Sequence, residues 1–375
     1  MEKSEIFNRQ LSIFNCLCVL LYGCIIEYEQ KGIDELADIL VVEGIITDDE
    51  SIITLSRSVN LTGDFKDAGS YYVNYATVYV ACDDGTLFHA DTPEWGWERQ
   101  NGQYTVKTGK LDLNRKYCLN IEIEDHQYAS NFSYPIKTPE IDSVFWTKRA
   151  PGQPVNIHIT THSQDNKVLY YRWSYREDWE INADMRLDGY PFYCWNKAES
   201  RELLLGSAEK TVFGRVTDIL TQMHPSSKRL SVLYRIDVKQ NAISKRAYDY
   251  FANIKSNAEQ TGSIFAPVPS ELRGNITCIT DPGRPVIGYM DVSTTTKKRK
   301  YISRRDNAYE KPDMDCVPLS KDALCEKLGI EGMGCGMWNP LETGYVLYSE
   351  STFIKPECVD CSLFGVPNEK PDDWP

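Results

Sequence analysis

Apolar residues recur along most of the chain in short, β-branched runs. Leu40-Val41-Val42-Glu43-Gly44-Ile45-Ile46 and Ser51-Ile52-Ile53-Thr54-Leu55 flank the acidic turn Thr47-Asp48-Asp49-Glu50, the pattern expected of paired strands. Further strands are predicted at 76–82, ahead of the turn Asp83-Asp84-Gly85, and at 102–108 and 116–124. Strands this short and this regularly spaced predict an immunoglobulin-like β-sandwich over 39–137. Two prolines in Tyr134-Pro135-Ile136-Lys137-Thr138-Pro139 interrupt the pattern and mark a domain boundary. Beyond it, Val155-Asn156-Ile157-His158-Ile159-Thr160 alternates as a half-buried strand does, and 169–175 continues in an aromatic-rich β style. The period then changes. Ala247, Tyr250, Phe251, Ile254 and Ala258 fall on one stripe after the N-cap residue Ser244, which predicts a helix over 245–260. A proline-rigid segment at 264–269 and strand candidates at 275–280 and 286–292 follow. The fold expected is therefore mainly β, with a second β-rich domain over 138–311 carrying one long helix. Residues 312–375 read as a cysteine-bearing irregular tail packed on that domain, with a short helix at 321–328 capped by Ser320.

The N-terminus breaks this pattern. Residues 11–22 are almost wholly apolar yet too short to span a bilayer, so residues 1–23 read as a targeting signal. The run ends in Leu21-Tyr22-Gly23-Cys24, a small residue before cysteine, as cleavage of a lipoprotein signal requires. Cys24 is the expected lipidation site, its thiol and new amine carrying acyl chains that each add about 0.8 kcal/mol per buried methylene. The other reading is an ordinary leader with an incidental cysteine. Residues 24–38 are polar and acidic and suit a spacer between lipid and folded domain.

Composition narrows the partners. With 42% hydrophobic residues among 375 the chain buries a sizeable core, and its net charge of -13 argues against nucleic acid and anionic lipid. The leader holds Glu2, Glu5, Lys3 and Arg9, so its removal leaves that balance unchanged. The basic run Lys297-Lys298-Arg299-Lys300 reads as a solvated hairpin in this acidic context. Of 12 cysteines, Cys16 and Cys18 leave with the leader and Cys24 takes lipid, so an odd nine remain. Cys82, Cys118, Cys194, Cys278, Cys358 and Cys361 are the disulfide candidates, with Cys82 and Cys118 a pairing within the first domain. Cys358-Val359-Asp360-Cys361 has no second CxxC, so it suggests one disulfide, or one partner each of two, ahead of zinc.

Catalytic patterns are sparse. His158 and His162 lie on one face of a strand, roughly 13 Å apart at about 3.3 Å per residue, too far to share a metal. Leu205-Gly206-Ser207-Ala208-Glu209 lacks the second glycine of a nucleophile elbow and reads as a turn. Gly332, Gly334 and Gly336 are not followed by the lysine of a phosphate loop. No metal or cofactor is expected. Asp178-Trp179-Glu180 holds the raw material of a glycosidase site, two carboxylates beside an aromatic. The span 170–195 is crowded with rings, and Tyr171, Trp173, Trp179 and Trp195 are the ligand-binding candidates. Such rings line clefts, and they also fill β cores.

Several blocks together resemble one family: Tyr171-Arg172-Trp173, Cys194-Trp195, Leu204-Leu205-Gly206-Ser207, VKQNAISKRAYDYF at 238–251, IFAPVPSELRGNI at 264–276, PVIGYMDVS at 285–293, ECVDC at 357–361 and KPDDW at 370–374. The chain resembles the bacterial domain of unknown function 4249 lipoproteins of Bacteroidota, from Val41 to the tail. No activity comes with the resemblance. It implies an outer-membrane lipoprotein facing the cell surface, accessory to a TonB-dependent transporter, that binds a nutrient ligand or the transporter itself. Glu27 and Glu29, just after Cys24, resemble the export signal of such lipoproteins. One departure is the end of the tail, where Asp373-Trp374 stands in place of an aromatic pair. A surface glycan hydrolase and a structural envelope protein are the competing expectations.

Overall fold

Two β-sandwiches joined side by side account for most of the molecule. The computed structural model describes residues 39–58, 71–91, 101–164, 167–260, 274–306, 308–311, 316–337, 339–367 and 369–375. The expected leader, Cys24, the acidic spacer and the segment 264–269 lie outside the described residues.

In the first sandwich, a sheet ordered Val286–Gly288, Leu40–Glu43, Glu50–Arg57, Gln103–Lys107 faces a sheet ordered Ile276–Cys278, His126–Ser130, Tyr117–Ile123, Thr77–Cys82, Leu87–His89. The period of two decides which residues meet between them. Ser51, Ile53 and Leu55 are buried while Ile52 between them is exposed, and Val78, Val80, Leu119, Ile121 and Tyr128 close the core from the other sheet. Each fully buried aliphatic side chain contributes about 1.5–3 kcal/mol. The strands Ile276–Cys278 and Val286–Gly288, expected in the second domain, belong to this sandwich: Ile276 pairs with Ser130, and Leu40 runs parallel to Val286. The second body is thus inserted between strands of the first.

That second body stacks a three-stranded sheet, Arg215–Met223, Val155–His162, Ile141–Thr147, on a larger one. The larger sheet runs Thr295–Ser303, Leu233–Ala242, Tyr170–Asn182, Tyr193–Glu199, Val366–Pro367, with Leu204–Ser207 also paired to Tyr170–Trp173. Gly206 and Ser207 therefore lie in a strand, not in the expected turn. The reason for glycine there is steric: a Cβ on Gly206 would sit 2.0 Å from the Trp173 ring. That ring is held by its Nε1, which donates to Gln240 Oε1 at 2.8 Å. Gly206→Ala is expected to cost about 1–3 kcal/mol through overpacking; an unchanged urea midpoint would show that Trp173 yields.

The long helix is Lys245–Gln260, as the apolar stripe predicts. Ser244 Oγ caps it by accepting from Ala247 N at 3.1 Å, and Ala247 and Tyr250 are buried. The helix is tied to the first sandwich through Asp291, which accepts from Ser244 N at 2.7 Å and Ser244 Oγ at 3.1 Å. Burial pushes the Asp291 carboxyl pKa up, against those two bonds from Ser244.

The tail has its predicted short helix, Lys321–Leu328, with Ser320 Oγ accepting from Ala323 N and Gly329 in the left-handed conformation ending it. Three disulfides hold the tail: Cys194–Cys361, Cys316–Cys358 and Cys325–Cys335. Cys358 and Cys361 thus serve one bond each of two, and the glycine-rich patch around Gly334 forms the short helix Met333–Met337 that carries Cys335. Cys82, Cys118 and Cys278 are buried free thiols. Cys82 and Cys118 cannot pair because Cys118 lies opposite Ala81 and Cys82 opposite Tyr117, which aims the two thiols to opposite faces of their sheet.

Candidate ligand cleft

The strand Tyr170–Asn182 shows both faces of the large sheet. Its odd positions point into the core, where Tyr171, Trp173 and Trp179 are buried. Tyr171 stacks on Trp173 with centroids 6.1 Å apart, and Arg229 lies 4.9 Å over Trp179. These three candidate rings are core residues with no open face to stack a ligand. Trp195, on the next strand, is half-buried, and its indole N–H is enclosed with no hydrogen-bond partner among the described residues. The even positions, Arg172, Ser174, Arg176, Asp178 and Glu180, line the outer face.

At one end of that face the C-terminus is docked. Asp178, 1% exposed, accepts from Arg176 Nη2 at 2.9 Å and Arg235 Nη2 at 2.8 Å. Arg235, 2% exposed, also donates to Asp373 at 2.7 Å and lies 5.3 Å over the Trp374 ring. Arg299 reaches Asp237 and Asp373, and Trp374 Nε1 donates to Glu180 at 3.2 Å. Asp178 and Glu180 are thus committed to holding the chain end, and the Asp373-Trp374 pair packs as a clamp. The guanidinium groups of Arg235 and Arg299 hold the Asp373 carboxyl down at about 2, against an ordinary 3.8. A carboxyl depressed in the folded state contributes stability above its unfolded pKa and loses it as pH falls through the folded value. Hydrogen exchange at the Trp374 amide, which bonds to the Pro371 carbonyl, is therefore expected to accelerate as pH falls from about 4 toward 2, after correction for intrinsic rates. Asp373→Asn should remove that dependence.

At the other end, the first sandwich approaches the same face and leaves a cleft of adjoining cavities, three of which are lined in common by Ser174. A chamber of about 320 Å³ lies among Val42, Glu43, Arg172, Arg201, Tyr250 and Phe251. A smaller one of about 160 Å³ lies among Ile45, Asp49, Arg172, Lys239 and Asn241. A wider groove of about 710 Å³ continues past Ile52, Arg176, Lys297 and Arg299. The basic run is not a hairpin: it lies within the edge strand Thr295–Ser303. Lys297 and Lys239 both reach Asp49, at 2.7 and 3.0 Å, while Lys298 donates to the Ile141 and Asp142 carbonyls. Burial would raise the Asp49 pKa, but the two ammonium groups outweigh it and hold the carboxyl low. His158 bonds Thr147 at 2.8 Å and His162 bonds Asp142 at 2.7 Å, so the two imidazoles serve separate neighbours.

A mainly β protein of two sandwiches, with a cleft between them and a disulfide-bound tail, is the class these features define. The chain belongs to the family described as Domain of unknown function (DUF4249), whose model matches residues 26–299 and so takes in the cleft. No curated protein matches it. Among solved structures it is similar to a DUF4785 family protein from Legionella pneumophila, at 13% identity and a TM-score of 0.16, over 55% of this chain and 51% of that one. The chain thus spans about half the length of that structure.

Proposed function

We propose that this chain is an outer-membrane surface lipoprotein of Bacteroidota, anchored through Cys24 and accessory to a TonB-dependent transporter, and that it binds a nutrient ligand or the transporter. The observation that carries binding over hydrolysis is the open cleft at Ser174, set beside carboxylates at Asp178 and Glu180 that are already engaged with the chain end. Glycoside hydrolysis asks for two carboxyls free to face a sugar. The export half of the reading is supported by the Gly23-Cys24 pair and by three disulfides, which persist in an oxidising compartment.

Two experiments test the reading. Labelled palmitate should enter the wild-type chain and not Cys24→Ser. A tagged chain should bring a TonB-dependent barrel out of detergent extracts. A clean monomer that hydrolyses polysaccharide, with turnover abolished by Glu180→Gln, would overturn binding in favour of catalysis. Loss of envelope integrity on deletion, with nutrient uptake intact, would favour a structural role.

A further inference from the structure

Most charges around the cleft are matched from within. Asp49 holds Lys239 and Lys297, Asp237 and Asp373 hold Arg299, and Asp178 holds Arg176. Arg172 differs. It sits on the outer face opposite Leu205 and Asn241, and its side chain makes no ion pair or hydrogen bond among the described residues. Asn241 is already committed, donating to Ser293, Thr294 and Thr295. The Arg172 guanidinium lies 4.9 Å from the Phe251 ring and lines both inner chambers of the cleft. Desolvation lowers its pKa, and the charge of Glu43 offsets this only in part. Arg172 is half-buried in the cleft wall, and a partly desolvated guanidinium without a carboxylate marks a site that an outside anion can complete.

We propose that Arg172 anchors a binding site for a small monocarboxylate with an apolar body, its carboxylate on the guanidinium fork and its body against Tyr250, Phe251 and Ile254. The planar fork matches a carboxylate through two parallel hydrogen bonds. The chamber favours a single negative charge. Arg172 and Arg201 are matched there by Glu43 and Glu202, so the lining carries no net positive charge and a dianion such as phosphate would bring twice the uncompensated charge of a monoanion. A volume of about 320 Å³ fits a small molecule, and the walls from the helix supply its apolar contact. This deepens the reading of the protein as a ligand binder and rests on it.

The test uses the full-length protein in detergent and fluorine NMR titrations of 4-fluorophenylacetate, its neutral amide, and inorganic phosphate as competitor. The carboxylate is expected to bind at least about tenfold more tightly than the amide, the worth of a charge-assisted pair. Arg172→Gln should erase that preference and Arg172→Lys should keep only part of it. Phenylglyoxal labelling read by mass spectrometry supplies a second measurement that needs no variant: 4-fluorophenylacetate should protect Arg172. Equal binding of acid and amide, no binding of either, displacement by phosphate, or labelling of Arg172 that the acid leaves unchanged would each overturn the proposal. None of these outcomes touches palmitate labelling or barrel co-purification, so the anchor and partner readings fail or stand separately.

Discussion

Replacing Cys194 and Cys361 together by serine is expected to lower stability by about 2–5 kcal/mol and to release the end of the chain. The bond spans 167 positions, against 42 for Cys316–Cys358 and 10 for Cys325–Cys335. A cross-link that closes so long a loop removes more freedom from the unfolded chain than the other two, in the loop-entropy account of disulfide stability. Its native surroundings add to the effect. Cys194 and Cys361 are fully buried, and just beyond them Val366–Pro367 pairs with Cys194 and Trp195 to close the sheet edge. Without the cross-link, only non-covalent contacts hold the tail: the strand pairing, the clamp at Asp373-Trp374, and the packing of Met185 and Leu187 against Ile354, Cys358 and Val359. The check is urea unfolding of wild type and double variant, each with and without reductant. Wild type should lose more on reduction than the variant does. A midpoint within about 0.5 kcal/mol of wild type would mean that the tail is held by packing alone.

Five strands of the first sandwich were legible because burial there largely alternates, visible as Ile53 and Leu55 buried around half-buried Thr54, whereas Leu87–His89 and His126–Ser130 carry too weak a pattern to stand out. The long helix was legible for the same kind of reason, at the other period. What stayed hidden is non-local. Nothing within 276–288 states that these residues return to pair with Ser130 and Leu40, since a pairing across so much chain leaves no local mark. Cysteine pairing is hidden likewise: Cys316, Cys325 and Cys335 were not singled out, because spacing alone names no partner. The Cys82 and Cys118 expectation failed on register, which only the paired strands reveal. For the candidate cleft, the aromatic span includes the strand that lines it, but the rings named there have the opposite parity. Tyr171 and Trp173 point inward, and the residue between them, Arg172, faces the cleft. A charged residue flanked by two large rings on a buried strand was the available signal, once the rings are assigned to the core.

Arg235→Leu is the substitution with the other large expected cost, about 3–5 kcal/mol, the range for breaking a buried ion pair by removing one partner. Asp178 would remain at 1% exposure with only the half-exposed Arg176 to balance it. The same change takes the cation from beneath Trp374 and one of two guanidinium partners from Asp373, so the clamp should loosen together with the core. A second leucine at position 178 separates a stranded charge from lost packing as the cause. Replacing both members of a buried pair by apolar residues is often neutral or better, whereas replacing one strands a charge. The double variant Asp178→Leu with Arg235→Leu should therefore recover most of the stability lost by Arg235→Leu. It should not recover slow exchange at the Trp374 amide, since the cation that holds Asp373 and Trp374 is still missing. Urea unfolding and hydrogen exchange on the two variants read these effects independently. Should the double variant be as unstable as the single, the cost would lie in lost packing around the guanidinium stem and not in the stranded carboxylate.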